Sequence, residues 1–298
     1  MTTLDELRAE YVACNPAIRS IHTENLFAIV CRHFSRFLER DALVADLNEK
    51  TLNAYARHRR TLKKAESTVE NELVRLMVLW RFAALNGLVP PPMWKLKRLR
   101  PKQPESLHRH EVRAIFRAIY GAQGMFDDVP RNIYFPAVIS VIWDSFERIN
   151  AVRQVMRSDI EAGARYIRFR ERKGHGRELR WPMRWTTRRA VRKLLAATDR
   201  ERPFSVLSMP SFYDHYDQIL ADAGIEPKPS NRPHGLRRTG GTHYQAAGGN
   251  ARDVYDHADE RTTWRHYIDQ SMVGIRPPMA LLFNPAGPFH RLLAALGW

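Results

Sequence analysis

Cysteine is scarce in this sequence, whose 298 residues include only Cys14 and Cys31 and no CxxC pair. Two isolated thiols exclude a disulfide framework and a cysteine-based zinc site, and a reducing compartment is the default expectation. Long apolar runs are also absent, and a membrane span needs about 18 such residues in a row. The first residues have neither the basic segment nor the apolar stretch of a signal peptide. We therefore expect a cytoplasmic protein without a membrane partner.

The sequence also lacks the motifs of a phosphate-binding loop and of a two-metal site. No GxxxxGK[ST] loop occurs, so the sequence has no ATP-binding signature of that type. No group of carboxylates is spaced to hold two metal ions. Three histidines, His108, His110 and His175, match no ligand spacing typical of a metal site. We expect neither a metal nor a small-molecule cofactor.

Positive charge is what the sequence has in excess. The 48 Lys and Arg residues outnumber the 32 Asp and Glu residues, which gives a net charge of +16 and a pI of about 10.3. An excess of this size indicates a polyanionic partner, and nucleic acid is favoured over a membrane surface. The alternative is a basic protein with no such partner. The length allows two domains, each with a core of its own.

Residues 1–92 are predicted to form an N-terminal helical domain. Apolar residues recur at helical spacing in residues 22–39 and again after Ser67, where the sequence S-T-V-E is typical of a capping box. Residues 47–62 supply a further helix, and Gly87 is a suitable end for the helix that follows Ser67.

A basic, proline-punctuated run, residues 93–104, separates this domain from the rest of the chain. We interpret it as an interdomain linker that lies along DNA together with the basic end of the helix 47–62. The candidate DNA contacts are Arg57, Arg59, Arg60, Lys63, Lys64, Lys95, Lys97, Arg98, Arg100 and Lys102. The simpler alternatives are a solvated helix end, favourable near the negative pole of the helix dipole, and a solvated tether.

Residues 105–298 are predicted to form a second domain of helices with a small antiparallel sheet. The apolar run 133–144 is typical of a central core helix, and we place Pro136 in its first turn, where proline is tolerated. Residues 165–182 alternate partly between polar and apolar side chains on either side of a glycine-containing turn. This pattern predicts a β-hairpin whose turn carries Lys173.

The stretch 234–267 holds most of the candidate chemistry. It opens with His234 and Arg237, which lie one turn apart on a helix, and it closes with Tyr267. A guanidinium binds the oxygens of a phosphodiester in bidentate fashion, and a phenol attacks phosphorus once its proton is removed. An imidazole has a near-neutral pKa, which suits a general base. The simpler alternatives are a helix-cap histidine, an ion-paired surface arginine and a core tyrosine.

Six residues of these types stand in order along the chain: Arg148, Lys173, His234, Arg237, His257 and Tyr267. Residues 234–248 reproduce the pattern HxLRxTxxTHxxxxG, and residues 255–267 follow LGHxxxxTTxxY with changes. The sequence FERINAVRQVMRSDIE around the first arginine follows GLRxSELLxLxWSDID without a gap from the arginine onward. In these motifs and their order the chain resembles the tyrosine recombinase, or phage integrase, family over most of its length.

Four features depart from the family pattern, and one of them is the segment from Gly248 to His257, which is shorter than in the common pattern. Ala151 stands where an acidic residue is usual, three positions after the first arginine, and Asp256 replaces a glycine before His257. One residue more than usual separates His257 from the tyrosine. Counted from His257, His266 therefore stands at the position that the tyrosine has in the family pattern. We assign the nucleophile to Tyr267, because the phenol is chemically indispensable.

The resemblance implies a role for each of the six residues. The two arginines would bind the scissile phosphate, and His257 would donate a hydrogen bond to it. His234 would act as the general base or its proton relay, and Tyr267 would form a 3′-phosphotyrosine. Lys173 would protonate the leaving 5′ oxygen. A lysine in a solvated turn and a helix-cap histidine remain the alternatives for Lys173 and His257.

The resemblance also implies the fold, the function and the partners. It indicates a mainly α (α+β) protein, in which an N-terminal helical core-binding bundle precedes a helical catalytic domain with a small antiparallel β-sheet. The implied function is that of a site-specific recombinase or integrase of a mobile element, which cuts and rejoins double-stranded DNA. It would act as a homotetramer on DNA through exchange of the C-terminal tail. Two other functions stay open: a non-catalytic DNA-binding protein that retains the fold, and a type IB topoisomerase-like enzyme that relaxes DNA.

Overall fold

The described residues form two large hydrophobic cores, one in each of two compact units, and a smaller cluster around Phe146, Tyr255 and Tyr267. A computed structural model describes residues 2–18, 20–93, 103–170, 178–206, 208–255 and 259–273. The compact units are Met1–Arg100 and Pro101–Trp298, so the division falls inside the predicted linker. Residues 94–102 of that linker and the tail 274–298 lie outside the described residues.

The first unit is built from helices. They are α1 (Leu4–Cys14), α2 (Ile21–Leu38), α3 (Glu49–Thr61) and α4 (Glu66–Leu85). Side-chain oxygens set the start of three of them, since Thr3, Ser20 and Asn48 each accept a hydrogen bond from a backbone N–H of the first turn. The helices α2 and α3 correspond to the helices predicted over 22–39 and 47–62.

The start of α4 differs from the prediction. The helix begins at Glu66, so Ser67 lies inside its first turn and is not the N-cap. The N-cap is Ala65, whose side chain accepts no hydrogen bond. Glu66 instead accepts two hydrogen bonds from Arg60 of α3, at 2.8 and 3.0 Å. The predicted end is confirmed, because Gly87 follows the helix with a left-handed φ of +70°.

A buried ion pair lies in the first unit. Arg59 of α3 is 7% exposed and donates to both carboxylate oxygens of Glu72 in α4, at 2.6 and 2.7 Å. The hydroxyl of Tyr55 donates to the same carboxylate at 2.9 Å, and a ring nitrogen of His33 lies 3.2 Å from it. Burial by itself would raise the pKa of Glu72, but the hydrogen bonds from Arg59 and Tyr55 outweigh it and hold the pKa below its usual value. The assignment of Arg59 as a DNA contact is therefore wrong, because its guanidinium is enclosed and paired.

We predict that Glu72→Gln destabilises the first unit by about 3–5 kcal/mol, because the substitution leaves the Arg59 guanidinium buried beside a neutral group. Chemical denaturation followed by circular dichroism measures this loss. The matched control is Glu66→Gln, which breaks an arginine–carboxylate pair whose two side chains are each 49% exposed and should leave the transition unchanged. Equal effects of the two substitutions would contradict a special role for the buried pair.

The second unit contains the remaining helices and all the strands of the described residues. They are α5 (Arg109–Gly121), β1 (Met125–Phe126), β2 (Val129–Pro130), α6 (Arg131–Ser145), α7 (Ile149–Gln154), β3 (Tyr166–Phe169), β4 (Leu179–Pro182), α8 (Trp185–Ala197), α9 (Met209–Asp222), α10 (Pro233–Ala246), α11 (Ala251–Tyr255) and α12 (Glu260–His266). The predicted class, mainly helical with a small antiparallel sheet, is confirmed. Of the described helices, none has both the length and the apolar composition that crossing a bilayer requires.

Helix α6 is the centre of the second core. Its sequence is apolar on every face, and it packs against α5, α8 and α10. This confirms the core helix predicted over 133–144. The helix begins at Arg131, however, so Pro136 lies in the second turn and not in the first. The carbonyl of the exposed Asn132 therefore lacks its helical partner, near the start of the helix, where the loss of one bond is tolerated.

The β-hairpin predicted over 165–182 is confirmed by the antiparallel pair β3 and β4. Its register places Phe169 opposite Leu179, and Phe169 is buried in the core. Residues 171–177 of the turn, Lys173 included, lie outside the described residues. A second hairpin, formed by β1 and β2, was not predicted, because strands of two residues are too short to show alternation.

Candidate active site

Helix α10 carries two of the predicted catalytic residues. Pro233 occupies its first turn, where a fixed φ favours helix initiation, and His234 and Arg237 follow one turn apart. Gly241 of the same helix permits a close approach: a Cβ atom there would lie 1.8 Å from the hydroxyl oxygen of Tyr255. That hydroxyl donates a hydrogen bond to the carbonyl of Arg237 at 2.8 Å. The absence of a side chain at Gly241 therefore allows Tyr255 of α11 to form this hydrogen bond with the backbone of α10 at Arg237.

The guanidinium of Arg237 is enclosed by protein, with none of the residue exposed. Its central carbon lies 4.6 Å from the ring centroid of Tyr255 and 5.5 Å from that of Tyr267. Its nearest charged partner is Glu147, at 3.7 Å between Nη1 and Oε2, which is too long for a hydrogen bond. None of the three guanidinium nitrogens has a hydrogen-bond acceptor among the described residues. Buried donors without acceptors are costly, so the group is suited to an incoming anion.

The charges around Arg237 also favour the binding of an anion. Burial lowers the pKa of Arg237, the positive charge of Arg148 lowers it further, and Glu147 opposes both. An arginine nevertheless stays protonated in a protein. The pocket therefore holds more positive than negative charge, and an oxyanion in the guanidinium plane would relieve the imbalance.

A sharp turn after α6 brings Arg148 to this site. Phe146 adopts a left-handed φ of +52°, which costs about 1–2 kcal/mol for a residue other than glycine. Its ring packs against Gly240, where a Cβ atom would lie 2.5 Å from the ring. The carboxylate of Glu147, which is 1% exposed, accepts a hydrogen bond from the backbone N–H of Arg148 at 3.2 Å. Arg148 is half-buried, and no described residue pairs with its guanidinium.

The ring of His234 meets the ring of Tyr267 edge-on, with 5.6 Å between the centroids. Burial of the imidazole and the charges of Arg238, Arg237 and Arg148 lower its pKa to about 4. The three arginines repel a protonated imidazole, so their charges lower the pKa of His234 in the same direction as burial does. The imidazole is therefore neutral near pH 7 and able to accept a proton.

Tyr267 follows the last turn of α12. Its backbone N–H donates to the carbonyl of Thr263 at 2.9 Å, and its side chain is directed into the site, with 8% of the residue exposed. Its ring lies 4.7 Å from that of Tyr255, centroid to centroid. The preceding His266 is exposed. Of the adjacent residues His266 and Tyr267, only Tyr267 lies beside His234 and Arg237.

Solved structures with the same architecture include a λ integrase tetramer bound to a Holliday junction and the Tn1549 transposon integrase in complex with circular intermediate DNA. The first has a TM-score of 0.72 at 16% identity, over 93% of this chain and 80% of that chain. The second has a TM-score of 0.71 at 13% identity, over 95% of this chain and 100% of that chain. The chain has the tyrosine recombinase fold. No family model matches the chain, and no curated protein matches its sequence.

Within this tyrosine recombinase fold, four of the six predicted catalytic residues come together. Arg148, His234, Arg237 and Tyr267 are far apart in sequence, yet electrostatic or ring contacts join each of them to another of the four. The set combines two cations, a neutral base and a phenol. Such a group can bind a phosphodiester, attack it and hold the proton that the phenol releases.

Two predicted catalytic residues, Lys173 and His257, lie outside the described residues. The same holds for five candidate DNA contacts of the linker, which are Lys95, Lys97, Arg98, Arg100 and Lys102. Of the contacts predicted in the first unit, Arg57, Lys63 and Lys64 are exposed. Arg60 is exposed as well, although its guanidinium is paired with Glu66.

Sequence analysis missed three residues that shape the site: Phe146, Glu147 and Tyr255. With Ala151 in the place of the family's acidic residue, Glu147 is the carboxylate that pairs with Arg237. A glutamate directly between the apolar helix and Arg148 was a usable signal, because an acidic residue beside a core is rarely unpaired. The roles of the two aromatic residues had no comparable signal, since their ring partners lie on other helices.

We predict that the imidazole of His234 titrates near pH 4 in the folded protein. Its pKa is lowered from the ordinary 6.5, so the stability that depends on its neutral form is fully present above pH 6.5 and is lost as the pH falls toward 4. Between these two pH values the imidazole of His234 is protonated in the unfolded chain and neutral in the folded chain. NMR titration of labelled histidines, with His234→Gln to assign the signal, measures the midpoint. Added inorganic phosphate should raise it, and a midpoint near 6.5 without phosphate would refute the arrangement.

We also predict that Glu147→Gln destabilises the second unit by about 3 kcal/mol, because it removes the carboxylate beside a fully buried guanidinium. Sulfate should restore more stability to this variant than to the wild type, since an anion then supplies the missing negative charge. Thermal unfolding with and without sulfate provides the measurement. The control is Glu161→Gln, which breaks a solvent-exposed pair with Arg180 and should neither destabilise the protein nor create a sulfate response.

Proposed function

We propose that the protein is a site-specific DNA recombinase that cleaves one strand through a 3′-phosphotyrosine and rejoins it to a partner strand. The observation that carries the proposal is the fully buried guanidinium of Arg237, which lacks a hydrogen-bond acceptor among the described residues and lies against the ring of Tyr267. A buried cation that awaits an oxyanion, next to a phenol, fits a scissile phosphate better than it fits a structural ion pair.

In the proposed reaction the phosphate enters between Arg237 and Arg148. In-line attack builds negative charge on the non-bridging oxygens, and two guanidiniums stabilise that charge. Their donors are held in place before the reaction by the hydrogen bond from Tyr255 to the backbone of α10 and by the turn at Phe146. Little reorganisation is then required in the transition state.

The proposed nucleophile is Tyr267 and the proposed base is His234. The phenol oxygen forms a bond to phosphorus, the bond from phosphorus to the 5′ oxygen breaks, and the phenolic proton passes to the imidazole. The low pKa of His234 keeps the ring ready to accept this proton, and the bound phosphate offsets the repulsion by the arginines that protonation would meet. Lys173, as general acid, and His257, as a phosphate ligand, complete the proposal by resemblance to the family.

Rejoining needs no external energy source. A 5′ hydroxyl of the partner strand attacks the phosphotyrosine and gives its proton to Lys173. The bond from phosphorus to the phenol oxygen breaks, His234 returns the proton to Tyr267, and the number of phosphodiester bonds is unchanged. The reaction in this form is balanced without ATP or an oxidant. The same side chains serve both directions, as microscopic reversibility requires.

We propose double-stranded DNA as the partner on the basis of charge and fold. The net charge is +16, and exposed cations of the first unit include Arg57, Lys63 and Lys64. The basic run 93–104 adds to them in sequence. The λ integrase and the Tn1549 integrase, which share the fold, were both solved with DNA, and one λ integrase structure is a tetramer. A homotetramer on DNA, joined by exchange of the C-terminal tail, is the corresponding proposal for this chain.

We predict that the protein forms a covalent adduct with a nicked suicide duplex and that Tyr267→Phe abolishes it, because the ring without its hydroxyl cannot attack phosphorus. The duplexes are tiled from the DNA that flanks the gene, and adducts are detected on denaturing gels, with peptide mass spectrometry to locate the modified residue. The matched control, Tyr244→Phe, removes the hydroxyl of a tyrosine that is 41% exposed on the same helix as Arg237 and should leave the adduct intact.

The outcomes separate the three candidate functions. Specific binding with no adduct on any bound site would contradict the enzyme and favour a DNA-binding protein that retains the fold. Relaxation of supercoiled plasmid at many sites, without strand exchange, would favour the topoisomerase-like activity. An adduct that persists in Tyr267→Phe would assign the nucleophile to another residue.

A further inference from the structure

The first residues of the second unit are tied to the segment that carries Tyr267. The backbone N–H of Ser106 donates to Oδ2 of Asp269 at 2.9 Å. The hydroxyl of Ser106 donates to Oγ1 of Thr242 at 3.0 Å. Ser106 and Asp269 are 163 positions apart in the sequence, so these contacts exist only in the folded unit.

Thr242 is the centre of this network. It lies in α10, five residues after Arg237, and none of its surface is exposed. Its hydroxyl donates to the backbone carbonyl of Tyr267 at 3.3 Å and accepts from the backbone N–H of Asp269 at 3.1 Å and from Ser106. A threonine hydroxyl has one donor and two acceptor positions, so all three are used.

Asp269 completes the connection from the other side. It is 7% exposed, and while one carboxylate oxygen accepts from Ser106, the other accepts from the N–H and the hydroxyl of Ser271, at 3.0 and 2.6 Å. The carboxylate thus closes the turn after Tyr267 and holds it against the start of the unit. Thr242 and Asp269 are buried, so leaving one of their polar groups unpaired is expensive.

Helix α12 does not hold Tyr267 in place by its own stability. It has seven residues, and isolated helices of that length are not stable in water. The position of the phenol relative to His234 and Arg237 therefore depends on contacts from other elements. Thr242 supplies such a contact from α10, the helix that also carries the base and the phosphate ligand.

We propose that Ser106, Thr242 and Asp269 form a positioning network that sets the distance from the Tyr267 phenol to the bound phosphate. This inference rests on the proposed function. Thr242 fixes the Tyr267 backbone to the helix of the phosphate ligand, and Asp269 fixes the turn that follows. Ser106 joins both to the first residues of the second unit, ahead of α5.

The test separates positioning from binding. Thr242→Val keeps the shape of the side chain but removes its hydroxyl, and Ser106→Ala is a second, milder change at a half-buried residue. On the duplex that traps the wild type, Ser106→Ala, which removes one hydrogen bond, should form the adduct about ten-fold more slowly in single turnover, and Thr242→Val, which removes three, should be slower still. The Kd for that duplex should be unchanged, and Thr242→Ser should restore most of the rate.

The matched control is Thr187→Val. Thr187 is also a buried threonine, 2% exposed, whose hydroxyl donates to Asp144 at 2.6 Å, but it has no contact with Tyr267 among the described residues. A similar loss of rate in Thr187→Val would reduce the effect to general destabilisation and overturn the inference. So would a wild-type rate in Thr242→Val, or a rate in Thr242→Ser as low as in the valine variant.

A second measurement keeps this inference distinct from the proposed function. Amide hydrogen exchange in residues 263–273 reports whether the network holds the segment, with or without catalysis. Exchange there should be faster in Thr242→Val and Ser106→Ala than in Thr187→Val. If the wild type forms no adduct on any duplex, the proposed function fails, and this comparison still decides whether the network positions the segment. Equal exchange in the three variants would refute it.

Discussion

The buried charge of Arg237 is the constraint on which the rest of the site depends. A guanidinium with no exposed surface and no hydrogen-bond acceptor among the described residues is tolerated only where its surroundings offset the cost. Two tyrosine rings lie against its cation, and Glu147 supplies a carboxylate at 3.7 Å. These contacts are weaker than a bidentate ion pair. The group therefore keeps its donors available for an oxyanion while the fold remains stable without one.

The neighbouring structure follows from the need to bring other groups to that charge. Phe146 accepts a strained backbone so that the chain turns from the core helix α6 directly to Glu147 and Arg148. Gly240 and Gly241 remove side chains where Phe146 and Tyr255 approach α10. The short helices α7 and α12 are not long enough to be stable alone, so they depend on packing against the rest of the unit to hold their residues in place. Rigid support for short catalytic segments explains why the site depends on long-range contacts.

The sequence was sufficient for the elements with strong local signals. Helix α6 is apolar on every face, and the sequence of β3 and β4 alternates partly between polar and apolar residues, so both were predicted. The errors concern helix starts and charge pairing. Ser67 and Pro136 are displaced from their predicted positions because each helix begins about two residues before its apolar pattern does, and a sequence pattern locates helix boundaries least well. Arg59 was counted with its basic neighbours because charge in a sequence does not reveal a partner on another helix.

What the sequence alone determined is the inventory of chemistry and its order: an arginine after a core helix, the His-x-x-Arg pair, and a final tyrosine, on a strongly basic chain. Only the tertiary structure decided which of these groups are buried and what they face. It enclosed Arg237, paired it with Glu147, and turned Tyr267 inward while His266 stayed exposed. Residue type and spacing are local properties of a chain. Burial and pairing depend on contacts between segments that are far apart in the sequence, as between Glu147 and Arg237 or between Ser106 and Asp269, and these arise only when the unit folds.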